Sequence, residues 1–136
     1  MWAVSWLAIL LSGPVQAGEV GAITVQQAHD MAARSEILLI DVRSPEEWQE
    51  TGIARGAHAI SMHRPDFMER LQALTGGDMS RRLALICARG TRSKIMSSAL
   101  ARLGYQTVID VPEGMLGSSN GPGWLKSSLP VEFYGE

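Results

Sequence analysis

The chain has 136 residues, a hydrophobic fraction of 46% and a formal net charge of −2. This size and composition predict one domain with a substantial core, and the absence of a clustered excess of Lys and Arg argues against a nucleic-acid binder. A single cysteine excludes an intramolecular disulfide and a thiolate metal cage. Because the three histidines also lack metal-ligand spacing, we expect no metal and no cofactor.

Residues 1–17 have the pattern of a secretory signal peptide. An uncharged apolar run at 2–11 is followed by a Ser-Gly-Pro turn and by small residues that predict cleavage before Gly18. The run is shorter than the roughly 20 apolar residues that span a bilayer. No Lys or Arg precedes it, which a start codon assigned too far downstream would explain, and a retained membrane-lying anchor is the alternative. With 1–17 removed, residues 18–136 are expected to form a periplasmic or secreted domain without membrane contact.

Predicted strands and helices alternate along the rest of the chain. Continuous apolar runs are typical of strands covered on both faces of a parallel sheet, and they occur at 37–42, 83–86 and 107–111. Shorter strands are expected at 22–23 and 57–61. Helices are predicted at 25–34, 45–52, 65–76, 93–103 and, briefly, near Trp124. Thr24 and Ser44 each precede a Gln or Glu by three residues, the spacing of a capping box. The alternation predicts an α/β domain with a mostly parallel sheet.

The only cysteine opens the stretch 87–93, which reads Cys-Ala-Arg-Gly-Thr-Arg-Ser. It follows the apolar run at 83–86 and precedes a segment with helical periodicity. In a parallel sheet this places Cys87 at the carboxyl end of a strand, where ligands bind. Inward-pointing N–H groups of a loop and the positive end of a helix both favour a thiolate over a thiol. The stretch therefore predicts a nucleophilic cysteine that handles an anion.

Several motifs in register give the chain a family resemblance. They are Asp-Val-Arg at 41–43, Pro-Glu-Glu-Trp at 45–48, Gly-Ile at 52–53, Cys-x-x-Gly-x-Arg-Ser at 87–93, Arg-Leu-Gly-Tyr at 102–105 and Glu-Gly-Met at 113–115, with Trp124 before Leu-Pro at 129–130. Over roughly residues 22–133 the chain resembles the rhodanese-like sulfurtransferases. The stretch 114–124, with an insertion at 117–123, is longer than the usual connection of that family.

The resemblance implies a five-stranded parallel sheet with helices on both faces and a cysteine that becomes a persulfide. Cys87 would take the outer sulfur of a small donor such as thiosulfate and pass it to cyanide or to an acceptor thiol, which could belong to an acceptor protein. The substrate-binding residues would be those of the loop: Ala88, Arg89, Gly90, Thr91, Arg92 and Ser93. Their N–H groups would stabilise the anionic sulfur, and the Ser93 side chain would bond the loop backbone or the sulfur.

The residues leave some roles open between alternatives. Arg89 is expected to face solvent and the donor, and Arg92 to pair inward with a carboxylate such as Asp41. The sequence does not decide which of the two arginines has which role. Asp41 and Arg43 are expected to form structural ion pairs with the turn at 44–47 rather than to touch substrate. Trp48 and Trp124 are expected to be core or loop-covering aromatics.

Three other functions compete with the sulfurtransferase hypothesis. A cysteine-dependent phosphatase needs five residues between Cys and Arg, whereas four separate Cys87 from Arg92, so the smaller ring favours sulfur over phosphate. A persulfide carrier, or a sensing and binding module for a partner protein, would use the same activated cysteine. A buried, inert cysteine in a plain binding domain is the simplest alternative.

Overall fold

The computed structural model describes residues 19–135. It contains seven strands and five helices in this range, in the order β1 (Val20–Ala22), α1 (Val25–Ala33), β2 (Leu38–Asp41), α2 (Pro45–Thr51), β3 (Ile53–Ala54), β4 (Ala57–Ala59), α3 (Phe67–Thr75), β5 (Leu83–Ile86), α4 (Thr91–Arg102), β6 (Val108–Asp110), α5 (Gly123–Lys126) and β7 (Val131–Glu132). The predicted signal peptide lies outside the described residues. Within them, no helix has both the length and the apolar character needed to cross a membrane.

The main sheet has five parallel strands in the order β1-β6-β5-β2-β4. This confirms the predicted α/β fold. The central strand β5 pairs with β2 on one side and with β6 on the other, so the carboxyl ends of these three strands lie side by side. A second sheet was not predicted: β3 and β7 form a short antiparallel pair, joining Ile53 to Glu132 and Ala54 to Val131.

The core has two layers, one on each face of the sheet. One layer contains Leu83, Leu85 and Cys87 with buried residues of α3 and α4, and the other contains Ala84 and Ile86 with residues of α1, α5 and the segment after β6. This alternation follows from the two-residue repeat of side-chain direction in a strand. It places Cys87 on the face that α3 and α4 cover.

Most predicted elements occur with shifted ends. The capping boxes at Thr24 and Ser44 are both formed. The first strand is Val20–Ala22 rather than 22–23. The third helix begins at Phe67 rather than at Pro65, with Asp66 at the N-cap. The fourth helix begins at Thr91, inside the cysteine stretch.

Candidate active site

Cys87 is the residue directly after β5, at the start of a short loop that leads into α4. Its side chain is 1% exposed. The loop is tight because α4 begins at Thr91, and Gly90, the N-cap, has a φ of +94° that side-chain-bearing residues rarely adopt. The sulfur therefore lies under the N-terminus of α4.

The Cys87 sulfur occupies the position of a helix cap. No side chain of the N-cap residue caps α4; instead, the N–H groups of Gly90 and Ser93 donate to Cys87 Sγ at 3.1 and 3.4 Å. The thiol lies 3.4 Å from Ser93 Oγ, to which it donates, and Ser93 Oγ donates to the Gly90 carbonyl at 3.3 Å. The expected contacts of Ser93 with both sulfur and loop backbone are present. Partial positive charge from these N–H groups therefore converges on the sulfur.

Arg92 pairs with a carboxylate, as expected, but its partner is Glu47 rather than Asp41. Its two terminal nitrogens donate to the two carboxylate oxygens of Glu47 on α2, at 2.6 and 2.7 Å. The hydrogen bonds from Arg92 lower the pKa of Glu47 to about 2. The side chains are 29% and 28% exposed. This bidentate ion pair ties the start of α4 to the start of α2.

Asp41 is instead paired with Arg43. Both are buried, and Arg43 Nη2 donates to Asp41 Oδ2 at 2.8 Å. Arg43 also donates to Thr51 Oγ1 and to the Gly52 carbonyl. The two residues are structural, as expected, but they bind each other and the end of α2 rather than the turn at 44–47. Because this local pair satisfies the Asp41 carboxylate, Arg92 has a different partner.

The loop is supported from the other side by the segment that follows β6. The Met115 and Leu116 N–H groups donate to the carbonyls of Cys87 and Ala88, both at 2.9 Å. Arg89 is exposed, and its Nη1 donates to the Gly117 carbonyl at 3.2 Å. The start of the inserted stretch at 117–123 therefore holds Arg89 beside the loop.

Glu113 fastens this supporting segment to the rest of the fold. Its carboxylate accepts from the Val25 N–H at the start of α1 and from the Gly123 N–H at the start of α5, at 2.9 and 3.3 Å. Glu113 is 5% exposed, and N–H donors are the partners that a buried carboxylate needs. One side chain thus links the supporting segment to two helices on the far face of the sheet.

A cleft of about 630 Å³ adjoins the loop on the side of β1. Arg89, Gly90 and Thr91 form one wall, and Asp110, the last residue of β6, also lines it. Asp110 is 5% exposed, and within residues 19–135 its Oδ1 has no hydrogen-bond partner. Burial raises the pKa of Asp110. Hydrogen bonding by Ser93 and by the Val111 N–H, and the charge of Lys94, lower this pKa by a smaller amount.

Most of the described residues match the model of a known protein family. The family model described as "Rhodanese-like domain" matches residues 24–120, which include the loop and the supporting segment as far as Asn120. The chain belongs to the rhodanese-like domain family.

The chain is also similar to other bacterial proteins and to a solved structure. An uncharacterised protein of Rickettsia rickettsii is 26% identical over 114 residues, covering 79% of this chain and 93% of the relative. The thiosulfate sulfurtransferase GlpE of Actinobacillus succinogenes is 26% identical over 110 residues, 81% of this chain and 88% of that protein. The polysulfide-sulfur transferase homodimer of Wolinella succinogenes has a TM-score of 0.65 at 24% identity, over 90% of this chain and 84% of that one, which shows a shared fold.

The rhodanese-like loop brings only some of the predicted residues to the sulfur. Gly90 and Ser93 contact Cys87 Sγ, whereas the Ala88 carbonyl bonds Leu116 and the Arg92 side chain bonds Glu47. The catalytic role of Cys87 and the substrate-binding roles of all six residues at 88–93 stay predictions. The sequence interpretation missed Glu47 as the partner of Arg92, since that residue was expected only in the capping box of Ser44 and in the turn at 44–47, and it missed Asp110.

Proposed function

We propose that this protein is a sulfurtransferase that moves sulfane sulfur from thiosulfate, or a similar donor, to cyanide or a thiol through a Cys87 persulfide. The observation that carries the proposal is the pair of N–H groups, from Gly90 and Ser93, that donate to Cys87 Sγ. Membership of the rhodanese-like family, and similarity to a protein named thiosulfate sulfurtransferase, support it.

In the first half of the proposed reaction, the Cys87 thiolate attacks the outer sulfur of thiosulfate. A new S–S bond forms, the old S–S bond breaks, and its electron pair leaves with sulfite. Charge balances, because a thiolate and a dianion become an anionic persulfide and a dianion. Thr91 and Arg92 are the first residues of α4, so their N–H groups have no partner one turn earlier in the helix. We assign them to the anionic outer sulfur.

In the second half, the acceptor attacks the outer sulfur of the persulfide. Cyanide gives thiocyanate, and a thiol gives a new persulfide; in both reactions the electron pair of the broken S–S bond returns to Cys87 Sγ. The Gly90 and Ser93 N–H groups stabilise that returning charge, and the Ser93 hydroxyl can turn to donate to it. The same donors thus serve both halves.

Of the two loop arginines, Arg89 is the one we assign to the donor. The charge of Arg92 is engaged by Glu47, while Arg89 is exposed and bonds only a neutral carbonyl among the described residues. An exposed guanidinium attracts the sulfonate end of thiosulfate through solvent. The Arg89→Gln change is therefore expected to slow persulfide formation at low salt more than at high salt.

Mass spectrometry of the protein after exposure to thiosulfate tests the proposal. We expect a mass gain of one sulfur, its loss on adding cyanide with release of thiocyanate, and no gain in Cys87→Ser. Absence of the gain in the unmodified protein would overturn the assignment. Hydrolysis of an aryl phosphate without sulfite release would support a phosphatase, and a stable persulfide that only a partner protein discharges would support a carrier.

A further inference from the structure

The insertion at 117–123 contains a closed turn. Ser118 and Gly121 exchange two backbone hydrogen bonds: the Ser118 N–H donates to the Gly121 carbonyl at 3.0 Å, and the Gly121 N–H donates to the Ser118 carbonyl at 3.2 Å. The Ser118 hydroxyl donates to the Pro112 carbonyl at 2.8 Å and accepts from the Asn120 N–H at 3.1 Å. One side chain therefore fastens the turn to the segment that follows β6.

This turn fixes the direction of the Gly117 carbonyl. In a trans peptide unit the C=O and the following N–H point in opposite directions, and the Ser118 N–H is bound to Gly121. The Gly117 carbonyl consequently points out of the turn, where it accepts from Arg89 Nη1 at 3.2 Å. Gly117 is also closely packed: its φ is +91°, and a Cβ there would lie 2.6 Å from the Pro122 carbonyl oxygen. The acceptor for Arg89 thus has a fixed orientation.

Arg89 keeps its full charge while it is held in this way. Among residues 19–135 its guanidinium bonds only the Gly117 carbonyl and forms no ion pair with a carboxylate. An exposed arginine samples many rotamers, and ordering it costs conformational entropy. The bond to a fixed, neutral carbonyl offsets part of that cost before any donor arrives. The guanidinium is therefore a pre-organised cation beside the cysteine loop.

We propose that the insertion at 117–123 is a positioning element for Arg89, and that the charge it holds beside the cysteine loop makes the protein favour sulfur donors with two negative charges over donors with one. The inference rests on the proposed function, because it concerns the donor that forms the Cys87 persulfide. It gives a role to the segment in which this chain is longer than the usual connection of the rhodanese-like family.

Two donors separate the effect of charge from the chemistry of transfer. Thiosulfate has two negative charges, whereas methanethiosulfonate has one, because a methyl group replaces a charged oxygen. With either donor the Cys87 thiolate attacks the outer sulfur, a new S–S bond forms, and the electron pair of the old S–S bond leaves with sulfite or with methanesulfinate. The interaction energy of one guanidinium with a donor is proportional to the charge of that donor. Arg89 should therefore assist thiosulfate more than methanethiosulfonate.

The rate of persulfide formation, measured by mass spectrometry at donor concentrations well below saturation, tests the proposal. Arg89→Gln should slow the reaction of thiosulfate about fivefold, as for an exposed charge pair, and that of methanethiosulfonate about twofold, since half the energy gives the square root of the factor. Ser118→Ala, which releases the turn, should slow thiosulfate about threefold and methanethiosulfonate less than twofold. Both effects should shrink at high salt.

Ser119→Ala is the matched control, because it is the same substitution one residue along. Ser119 is exposed, and its side chain makes no hydrogen bond with the described residues, so neither donor should be affected. Ser118→Thr keeps the hydroxyl and should retain the donor preference. In the Arg89→Gln background, Ser118→Ala should have no further effect, because the turn acts through Arg89. Discharge of the persulfide by dithiothreitol, a neutral thiol, should be the same in every variant.

The results that overturn this inference differ from those that overturn the proposed function. If Ser118→Ala slows both donors alike, or keeps its effect in the Arg89→Gln background, the insertion only supports the fold and the inference is refuted, while the sulfurtransferase assignment stands. Equal rates in Ser118→Ala and the unmodified protein would refute it as well. Arg89→Gln changes an exposed side chain, so a preference for thiosulfate that persists in this variant refutes the inference whether or not Ser118→Ala folds. No persulfide from either donor in the unmodified protein would overturn the proposed function itself.

Discussion

Glu47 and Arg92 form the one ion pair that reaches the cysteine loop among residues 19–135. Two short hydrogen bonds join them, and neither side chain is fully exposed. Glu47 also closes the capping box of α2 with Ser44. A glutamine at this position keeps the capping box, because Gln serves in the same role. Glu47→Gln therefore isolates the ion pair from the cap.

Glu47→Gln is expected to lower the free energy of unfolding by about 1–2 kcal/mol at neutral pH. This loss is larger than the contribution of an exposed ion pair, because the pair is bidentate, but solvent screening limits it. Arg92 holds the pKa of Glu47 at about 2 in the folded protein, below its ordinary value of about 4.3 in an unfolded chain. The stabilisation is therefore complete above that ordinary value and disappears as the pH falls toward 2. Urea unfolding at several pH values, followed by tryptophan fluorescence, measures the difference.

Glu46→Gln is the matched control for this change. Glu46 lies in the same first turn of α2 and has the same relation to the helix dipole, but it is exposed and makes no ion pair in the described chain. An equal loss in both variants, or a loss in Glu47→Gln that persists at pH 2, would show that the pair with Arg92 does not stabilise the fold.

At the scale of elements, the active loop is held between α4 and the segment after β6. Gly114, in this segment, packs directly against the loop, and its φ is +70°. A Cβ at this position would overlap the Ala88 carbonyl oxygen and lie 2.8 Å from the Arg89 nitrogen. The glycine is therefore required both by its backbone angle and by the path of the cysteine loop.

Gly114→Ala is expected to cost about 2–4 kcal/mol of stability, from backbone strain and overpacking together. In the fraction that folds, we expect persulfide formation from thiosulfate to fall at least tenfold, because the loop must shift. Gly76→Ala is the control: its φ is +67°, yet a Cβ there meets nothing within 4 Å. If the two variants lose stability and persulfide formation to a similar extent, the cause is the positive φ that both glycines share and not the overlap of a Cβ with the cysteine loop.

The helices and strands could be predicted from the sequence, but the contacts between them could not. The continuous apolar runs predict β2, β5 and β6 because a strand covered on both faces has no polar alternation, and the positions of Thr24 and Ser44 predict two helix starts. The partner of Arg92 could not be predicted, because Asp41 ends β2, the strand beside β5, and Glu47 lies in the first turn of the helix that follows it. Only the structure shows that the Asp41 carboxylate is already bonded to Arg43. The cleft is also absent from any local pattern, because β1, α4 and residues 118–120 meet only in the fold.

At the scale of the whole molecule, the segment after α5 returns to the edge of the domain. The Pro130 carbonyl accepts from Trp124 Nε1 and from the Arg55 N–H, β7 then pairs with β3, and Tyr134 lies edge-on to Trp48 with ring centroids 5.1 Å apart. Strands of two residues leave no periodicity in a sequence, so this pairing could not be predicted. Within residues 19–135, β7 and Tyr134 make none of the hydrogen bonds that hold the cysteine loop, so their effects on stability and on reaction can be measured separately.

Ending the chain after Pro130 is expected to lower the free energy of unfolding by about 1–2 kcal/mol, because it removes the β3–β7 hydrogen bonds and one aromatic pair but keeps both contacts of Pro130. Persulfide formation from thiosulfate should be unchanged, since Met115, Leu116 and Glu47 still hold the loop. Phe133→Ala is the control within the same segment: Phe133 is 89% exposed, and such a change is expected to alter stability by less than about 0.5 kcal/mol. Urea unfolding and mass spectrometry of the thiosulfate-treated protein measure the two quantities. If the shortened chain keeps its stability but loses the persulfide, the terminal segment acts on the reaction rather than on the fold.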